Sequence, residues 1–386
     1  MKSLFLLQND ITYFNFGSFG ACPKEIFDDY IQWQYLLENE PVQFIAINGP
    51  GYVKKSREAL AKFIHCEAED LVFVPSPTVA VNIIAKNFLL KAGDEILSTD
   101  LEYGACERTW NYYCKHSGAG YVQQKINLPI ISKEAFIEDF WKGYSEKTKA
   151  VFISHITSST GLIFPVKEIC AEAKKRGLIT IVDGAHVPGH IDLDLSSLQA
   201  DFYTGACHKW MMTPKGSSFL FARKEFQNQL DPLIVSWGYE SVAPSGSQFF
   251  DYHQFNGTRD FSAYLTIPKS IDFMQRHDWK NISRQCKQQV LDAAPEFYEV
   301  LGTQALAPLT HEFYGQMCSA QVNTTQPEQL QRHLFEQYKI EIPVMRHREK
   351  CFIRISFHAF NTDEELKYLF DSLKKIKKET NLIERN

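Results

Sequence analysis

Two short clusters carry the side chains of this chain best suited to covalent chemistry: Asp183 in Val182-Asp183-Gly184-Ala185-His186, and Lys209 in Ala206-Cys207-His208-Lys209-Trp210. Asp183 ends the apolar run Leu178-Ile179-Thr180-Ile181-Val182 and precedes a glycine. That places it at the carboxyl edge of a strand, where open α/β sheets bind ligands. A carboxylate there can face a heterocyclic N–H and stay ionised, and an amine leaving the next strand can condense with an aldehyde. Together they can hold an aldehyde-bearing pyridine cofactor. Taken singly, Asp183 could instead cap the turn before Ala185, and Lys209 could lie along the surface beside Trp210. Gly205, Pro214 and Gly216 make the lysine loop tight, which suits the placement of one amine.

Such groups need a scaffold, and the chain supplies a repeating one. Apolar runs of strand length occur at Leu71-Val72-Phe73-Val74, Glu95-Ile96-Leu97-Ser98, Ala119-Gly120-Tyr121-Val122, Ala150-Val151-Phe152-Ile153, Leu178 to Val182, Asp201-Phe202-Tyr203-Thr204 and Ser218-Phe219-Leu220-Phe221. Helical spacing predicts helices from about Pro23 to Leu37, Tyr52 to Ile64, Val79 to Leu90, and Val166 to Arg176 with Gly177 at C′. Strands alternating with helices predict a mostly parallel sheet covered on both faces. After about Asp231 the texture turns aromatic and turn-rich (Trp237, Tyr239, Pro244, Gly246, Phe249, Phe250), as in an interface loop. The final helix is marked by Thr362 and Glu365, a candidate capping box, and by the stripe Leu366, Leu369, Phe370, Leu373, Ile376. Lys374-Lys375 and Lys377-Lys378 read as its solvated end.

Composition narrows the function class. The net charge of −5 gives no reason to expect nucleic acid, whose binding rests on phosphate neutralisation. The nine cysteines are scattered, with no C-x-x-C pair, so neither a disulfide framework nor a zinc knuckle is signalled. Leu4-Phe5-Leu6-Leu7 is ended by Gln8-Asn9-Asp10, too short for a signal or membrane span. An untargeted cytoplasmic protein without membrane or nucleic-acid partners is expected.

Asp183-Gly184-Ala185-His186, followed by Tyr203 to Trp210 and Pro214-Lys215-Gly216, resembles the class V aminotransferase family of fold-type I pyridoxal phosphate enzymes. Tyr13-Phe14-Asn15-Phe16-Gly17-Ser18-Phe19-Gly20 and Gly257-Thr258-Arg259-Asp260 resemble its isopenicillin N epimerase-like branch. The likeness spans Tyr13 to Asn361 with the motifs in order. It implies a large domain (22–255) with a mostly parallel seven-stranded sheet between helices, a smaller C-terminal α+β domain (256–386), and an N-terminal segment (1–21) at the active-site rim.

The resemblance also implies roles. Pyridoxal 5′-phosphate would join Lys209, which would then move protons at the substrate α-carbon, while Asp183 would face the ring nitrogen. His208, Thr78 and Val79 would hold the phosphate, the last two at a helix N-terminus where Pro77 has no N–H. Thr78 could equally be a plain N-cap. Tyr103 would stack on the ring where relatives often place histidine, and Ser158 stands where many carry asparagine toward the 3′ oxygen. His186 would pack against the cofactor or tune Asp183, or be structural. Thr258 would reach the phosphate of a neighbouring subunit, implying a homodimer with shared sites; Arg259 is expected to be structural or phosphate-side. Arg354, on a period-2 strand with Phe352 and Ser356, would bind the substrate α-carboxylate, with a surface ion pair as the alternative. Asn15 would join the substrate rim.

Reaction type is less constrained. Desulfurases of the family carry a cysteine on a mobile loop shortly before this arginine, and Met345 to Lys350 has none, with Cys351 expected to begin the strand. Epimerisation requires protons on both faces of the α-carbon, and Lys209 serves one; elimination from a cysteine derivative requires one base and a sulfur leaving group. The resemblance to the isopenicillin N epimerase-like branch implies epimerase-like or carbon–sulfur lyase-like chemistry on an amino acid. An aminotransferase, or a catalytically silent binding or scaffold protein of the same fold, is the alternative.

Overall fold

A computed structural model describes residues 1–254 and 256–384. The expected end of the first domain at Phe255 and of the second at Asn386 lie outside the described residues. Among the described residues twelve strands are formed: β1 (Thr12–Tyr13), β2 (Leu71–Val74), β3 (Glu95–Thr99), β4 (Gly120–Gln124), β5 (Thr148–Ser154), β6 (Ile179–Asp183), β7 (Phe202–Ala206), β8 (Ser218–Ala222), β9 (Met317–Val322), β10 (Ile340–Glu341), β11 (Val344–His347) and β12 (Lys350–Ser356).

The seven expected runs build one sheet in the order β2-β8-β7-β6-β5-β3-β4. Every pairing is parallel except those of β8, which runs against both β2 and β7. Successive residues of a strand face opposite sides, and here both sides are dry. Phe73, Val151, Ile153, Val182 and Phe219 pack into one apolar cluster, whereas Val72, Val74, Phe152, Ile181 and Leu220 pack into another. Two buried faces explain why these strands read as continuous apolar runs.

Helix ends follow local chemistry. The helix Val166–Lys175 closes in a Schellman motif: Gly177 has φ +69°, its N–H reaches Lys174 O (3.1 Å), and Leu178 N–H reaches Ala173 O (2.9 Å). The final helix, Asp363–Glu379, is capped by Thr362, which accepts from Glu365 N–H. The other half of the box is replaced, because the Glu365 carboxylate takes Asn361 and Lys2 instead. Some boundaries differ from expectation: the helix expected from Tyr52 begins at Gly49, and the one expected from Val79 to Leu90 spans Pro77–Asn87. Ser76 is its N-cap, and Pro77 occupies the first turn, where a missing N–H is harmless.

Beyond β8 a 23-residue helix, Trp279–Leu301, lies against β9 and the final helix. A three-stranded antiparallel sheet, β11-β12-β9, carries Arg354 in its central strand. The N-terminal segment ties to this part of the molecule: β1 pairs with β10 and Asn15 bridges Ser356. Among the described residues no helix is long and apolar enough to cross a membrane.

Candidate active site

The parallel strands deliver their C-terminal ends to one edge, where the expected residues gather. Asp183 is the last residue of β6, and Lys209 sits in the turn following β7. Glu102 and Tyr103 follow β3, Ser158 follows β5, and Thr78 follows β2 in the first turn of its helix. The return strand β12 adds Arg354 from the C-terminal part.

Close packing fixes the Lys209 turn. Trp210 is buried against Phe16 and stacks on His190 at 4.0 Å. Gly20 has φ +65°, and a Cβ there would lie 2.3 Å from His208 O, so the N-terminal segment passes directly over the turn. Gly184 is needed for another reason: a Cβ would meet the Tyr203 hydroxyl at 2.0 Å.

The Lys209 amine lies 3.3 Å from His186 Nε2. Burial, then the Arg354 charge, lowers its pKa to about 8, against an opposing pull from Asp183. His186 is buried, and desolvation with the charge of Lys209 holds its ring well below the ordinary range. Asp183 accepts from Ala185 N–H at 2.9 Å through Oδ1; Oδ2 meets only the Cys106 thiol, at 3.6 Å. Burial raises the Asp183 pKa, opposed by the Ala185 N–H and by Lys209. His208 donates from Nδ1 to Ser217 O (2.9 Å), and burial lowers its pKa to about 4.

Arg354 is 1% exposed. Its Nη1 donates to Ser158 O and lies 3.5 Å from Ser158 Oγ; its Nη2 donates to Ser18 Oγ at 3.0 Å; its Nε has no partner. No carboxylate among the described residues pairs with it, and burial lowers its pKa to about 10. Asn15 is buried, with its amide engaged by Glu341 and Ser18. The structure therefore joins Asn15 to Arg354 through Ser18.

At the phosphate end expected from the sequence, the Val79 N–H is taken by Ser76 through its carbonyl (3.1 Å) and hydroxyl (3.4 Å). Thr78 is half-buried beside it, its carbonyl accepting from Asn82. Tyr103 is 47% exposed at the start of the helix Gly104–Ser117. Thr258 is exposed in a loop beside a cavity of about 330 Å³ lined by Arg57, Phe73, Phe250, Arg259 and Tyr264. Among the described residues no hydrogen bond links Thr258 to the Lys209 group, while Arg259 donates to the Tyr264 hydroxyl.

Three residues join the site without having been anticipated. Ser18 lies within a motif whose chemistry does not announce it. Cys106 reads as an ordinary apolar helix residue. Glu102 is buried beside Tyr103, accepting from Thr99 Oγ1 (2.6 Å), Ser154 N–H (2.9 Å) and Ser154 Oγ (2.5 Å); burial raises its pKa to about 8, and Asp183 adds to the rise. The region expected to form a loop is a tight hairpin, with β11 and β12 joined by Arg348-Glu349. Cys351 lies within β12, buried, its thiol toward Thr324 O.

Comparison with known proteins identifies the family and the fold. The sequence model described as Aminotransferase class-V matches residues 51–369. The isopenicillin N epimerase of Streptomyces clavuligerus is 32% identical, with 95% of each chain covered. A putative L-cysteine desulfhydrase of Oryza sativa subsp. japonica is 27% identical over 94% of this chain and 82% of its own length. In fold, the apo cysteine desulfurase of Thermococcus onnurineus NA1 superposes with a TM-score of 0.82 at 21% identity, covering 96% of this chain and 95% of that one. By its sheet, by its motifs in order and by a match across most of its length, the chain belongs to the class-V aminotransferase family.

Proposed function

We propose that the protein binds pyridoxal 5′-phosphate at Lys209 and acts at the α-carbon of an amino acid, by isopenicillin N epimerase-like epimerisation or by carbon–sulfur lyase-like elimination from a cysteine derivative. The observation that carries this reading is the buried, carboxylate-free Arg354, whose charge is felt by the Lys209 amine. A buried charge without a counter-ion is penalised by several kcal/mol, on the order of the desolvation of one ion. The α-carboxylate of an amino acid supplies the missing anion and suits a guanidinium fork.

The residues present fit the cofactor. Asp183 Oδ2 has only a weak thiol donor, which leaves it capacity for a pyridine N–H. The helix starting at Pro77 presents first-turn N–H groups with no partner inside the helix, and with Val79 committed to Ser76 the anion-binding duty falls to Thr78. His208 is neutral with Nδ1 donating to Ser217, so a phosphate at Nε2 has to raise that pKa for the ring to donate. Tyr103 offers an exposed ring face, Ser158 a hydroxyl beside Arg354, and the buried His186 a ring nitrogen beside Lys209. When bound, pyridoxal phosphate supplies an electron sink that acidifies the Cα–H of an attached amino acid. Lys209, with its proton affinity lowered to about 8, takes that proton near neutral pH and can return it. Arg354 orients the carboxylate, and Asp183 keeps a proton on the ring nitrogen.

A homodimer in which Thr258 reaches the neighbouring phosphate is part of the proposal. It is supported by the exposure of Thr258 and of Ile234, Val235, Trp237 and Val242 in the segment that follows the large sheet. The free state of the cysteines supports a reducing, cytoplasmic setting.

The test is to incubate the reconstituted protein with L-cysteine, L-cystine and other amino acids, then assay pyruvate with ammonia, solvent deuterium at Cα, and keto acid. Pyruvate with ammonia from a cysteine derivative identifies the lyase; deuterium with inverted configuration identifies the epimerase. Keto acid formed with an aminated cofactor indicates the aminotransferase. Absence of a visible cofactor band after reconstitution overturns the reading in favour of a silent scaffold. Sedimentation as a monomer would overturn the shared site.

A further inference from the structure

Arg354 is joined to a carboxylate, Glu341, through two intervening side chains. Arg354 Nη2 donates to Ser18 Oγ (3.0 Å), Ser18 Oγ to Asn15 Oδ1 (2.5 Å), and Asn15 Nδ2 to Glu341 Oε1 (2.9 Å). The direction of this chain is forced by chemistry. A guanidinium only donates and an ionised carboxylate only accepts, so the Asn15 amide must present its nitrogen to Glu341 and its oxygen to Ser18. All three hydrogen bonds therefore point the same way, from cation to anion, and each polarises the next.

The backbone holds the chain in register. Tyr13 pairs with Glu341 across β1 and β10, Phe14 N–H reaches Glu341 O at 2.9 Å, and Ser18 N–H reaches Asn15 O at 3.2 Å. Gly17 leaves the space needed, since a Cβ there would lie 3.1 Å from Arg354 Nη2 and 2.6 Å from Met317 Sδ. Glu341 ends the chain of hydrogen bonds and does not pair with the guanidinium directly. Among the described residues Arg354 Nε has no partner.

We propose that Ser18 is a positioning residue for amino acid substrates: with Asn15 and Glu341 it aims the Arg354 guanidinium and leaves it open to the substrate α-carboxylate. This rests on the reading of Arg354 as the carboxylate-binding residue. Asn15 is then a support for the clamp, one step removed from the substrate rim.

The experiment compares two probes on the reconstituted protein, L-alanine and ethylamine, which share the amine and the methyl group and differ by the carboxylate alone. Equilibrium affinity is read from the absorbance change of the bound cofactor, and melting temperature from circular dichroism. Wild type prefers L-alanine. Ser18→Ala should weaken L-alanine by roughly ten-fold, in keeping with loss of one hydrogen bond to a charged group. It should leave ethylamine within about two-fold and the melting temperature within a few degrees. Ser18→Thr, which keeps the hydroxyl, should restore the L-alanine affinity, and Asn15→Leu should reproduce the Ser18→Ala loss. Unchanged L-alanine affinity in Ser18→Ala, or equal weakening of both probes, overturns the positioning role. Arg354→Lys separates the two ideas: if it abolishes the preference while Ser18→Ala does not, only the positioning role fails. If Arg354→Lys retains the preference, the carboxylate reading itself fails.

Discussion

The Lys209 amine and His186 Nε2 stand 3.3 Å apart, and only one of them can carry a positive charge. His186 is held neutral by burial and by Lys209 itself. Its Nδ1 is buried with no partner. A bare buried lone pair is tolerated better than a bare buried N–H, so the favoured tautomer has its proton on Nε2, facing the lysine. That proton is accommodated when the amine is neutral, the form that attacks an aldehyde.

Cofactor capture should accordingly follow the titration of Lys209. With its pKa lowered to about 8, the rate of reconstitution should rise with pH by roughly ten-fold per unit below 8 and level off above it. Stability of the cofactor-free protein should move with it. Between about 8 and the ordinary value of 10.5 the unfolded chain binds more protons at this lysine than the fold does, so stability rises with pH across that window. Urea unfolding of wild type and Lys209→Ala, compared as a difference, checks the sign. An identical pH dependence in both would remove Lys209 as the source.

Gly20→Ala should damage the Lys209 turn from the far end of the sequence. The backbone there is left-handed, and a Cβ would collide with His208 O at 2.3 Å. A loss of about 2 kcal/mol or more is expected, together with weaker cofactor retention. Thermal denaturation and the visible band after gel filtration measure both. A variant as stable as wild type with full cofactor content would show that the segment does not support the turn.

The residues proposed to hold the cofactor were picked out in the sequence because strand ends are legible there. Asp183, Lys209, Ser158 and Thr78 each follow an apolar run, and the sheet brings the ends of such runs together. The helix Trp279–Leu301 was not expected, although Cys286, Val290, Ala294, Phe297 and Leu301 form a buried stripe at helical spacing. Ser18, Cys106 and Glu102 were not, because their importance lies in partners distant along the chain: Arg354 for Ser18, Asp183 for Cys106 and Ser154 for Glu102. Local pattern cannot reveal which hydroxyl meets which guanidinium. For Val79 the unread detail is local: Ser76 caps the helix, and its hydroxyl and carbonyl accept from the Val79 amide.

Glu102 should register in the acid-to-neutral range. Burial and Asp183 raise its pKa from 4.5 to about 8, so between those values the fold holds a proton that the unfolded chain releases. Stability from this group is therefore full below pH 4.5 and declines as pH rises toward 8, with a slope of up to about 1.4 kcal/mol per unit. Glu102→Gln cannot ionise and keeps an acceptor for Ser154 N–H, so its melting temperature should gain on wild type as pH increases from 5 to 8. A constant gap between the two proteins over that range would mean that Glu102 is already ionised at pH 5.

Cys351→Ala tests the exclusion of persulfide chemistry. A cysteine that attacks substrate sulfur must be exposed and mobile, with thiolate available. Cys351 is buried in β12, paired in register with Arg346 and Val322, and its thiol points to Thr324 O; burial raises its pKa. It also precedes Arg354 on the same strand, so it cannot swing toward Lys209 without carrying the carboxylate clamp with it. Removing the thiol should therefore lower the melting temperature slightly, by about 1 kcal/mol of stability, and leave turnover of the identified substrate within about two-fold. A fall of ten-fold or more with the cofactor still bound, or a persulfide detected on Cys351 by mass spectrometry after incubation with L-cysteine, would return desulfurase chemistry to this site.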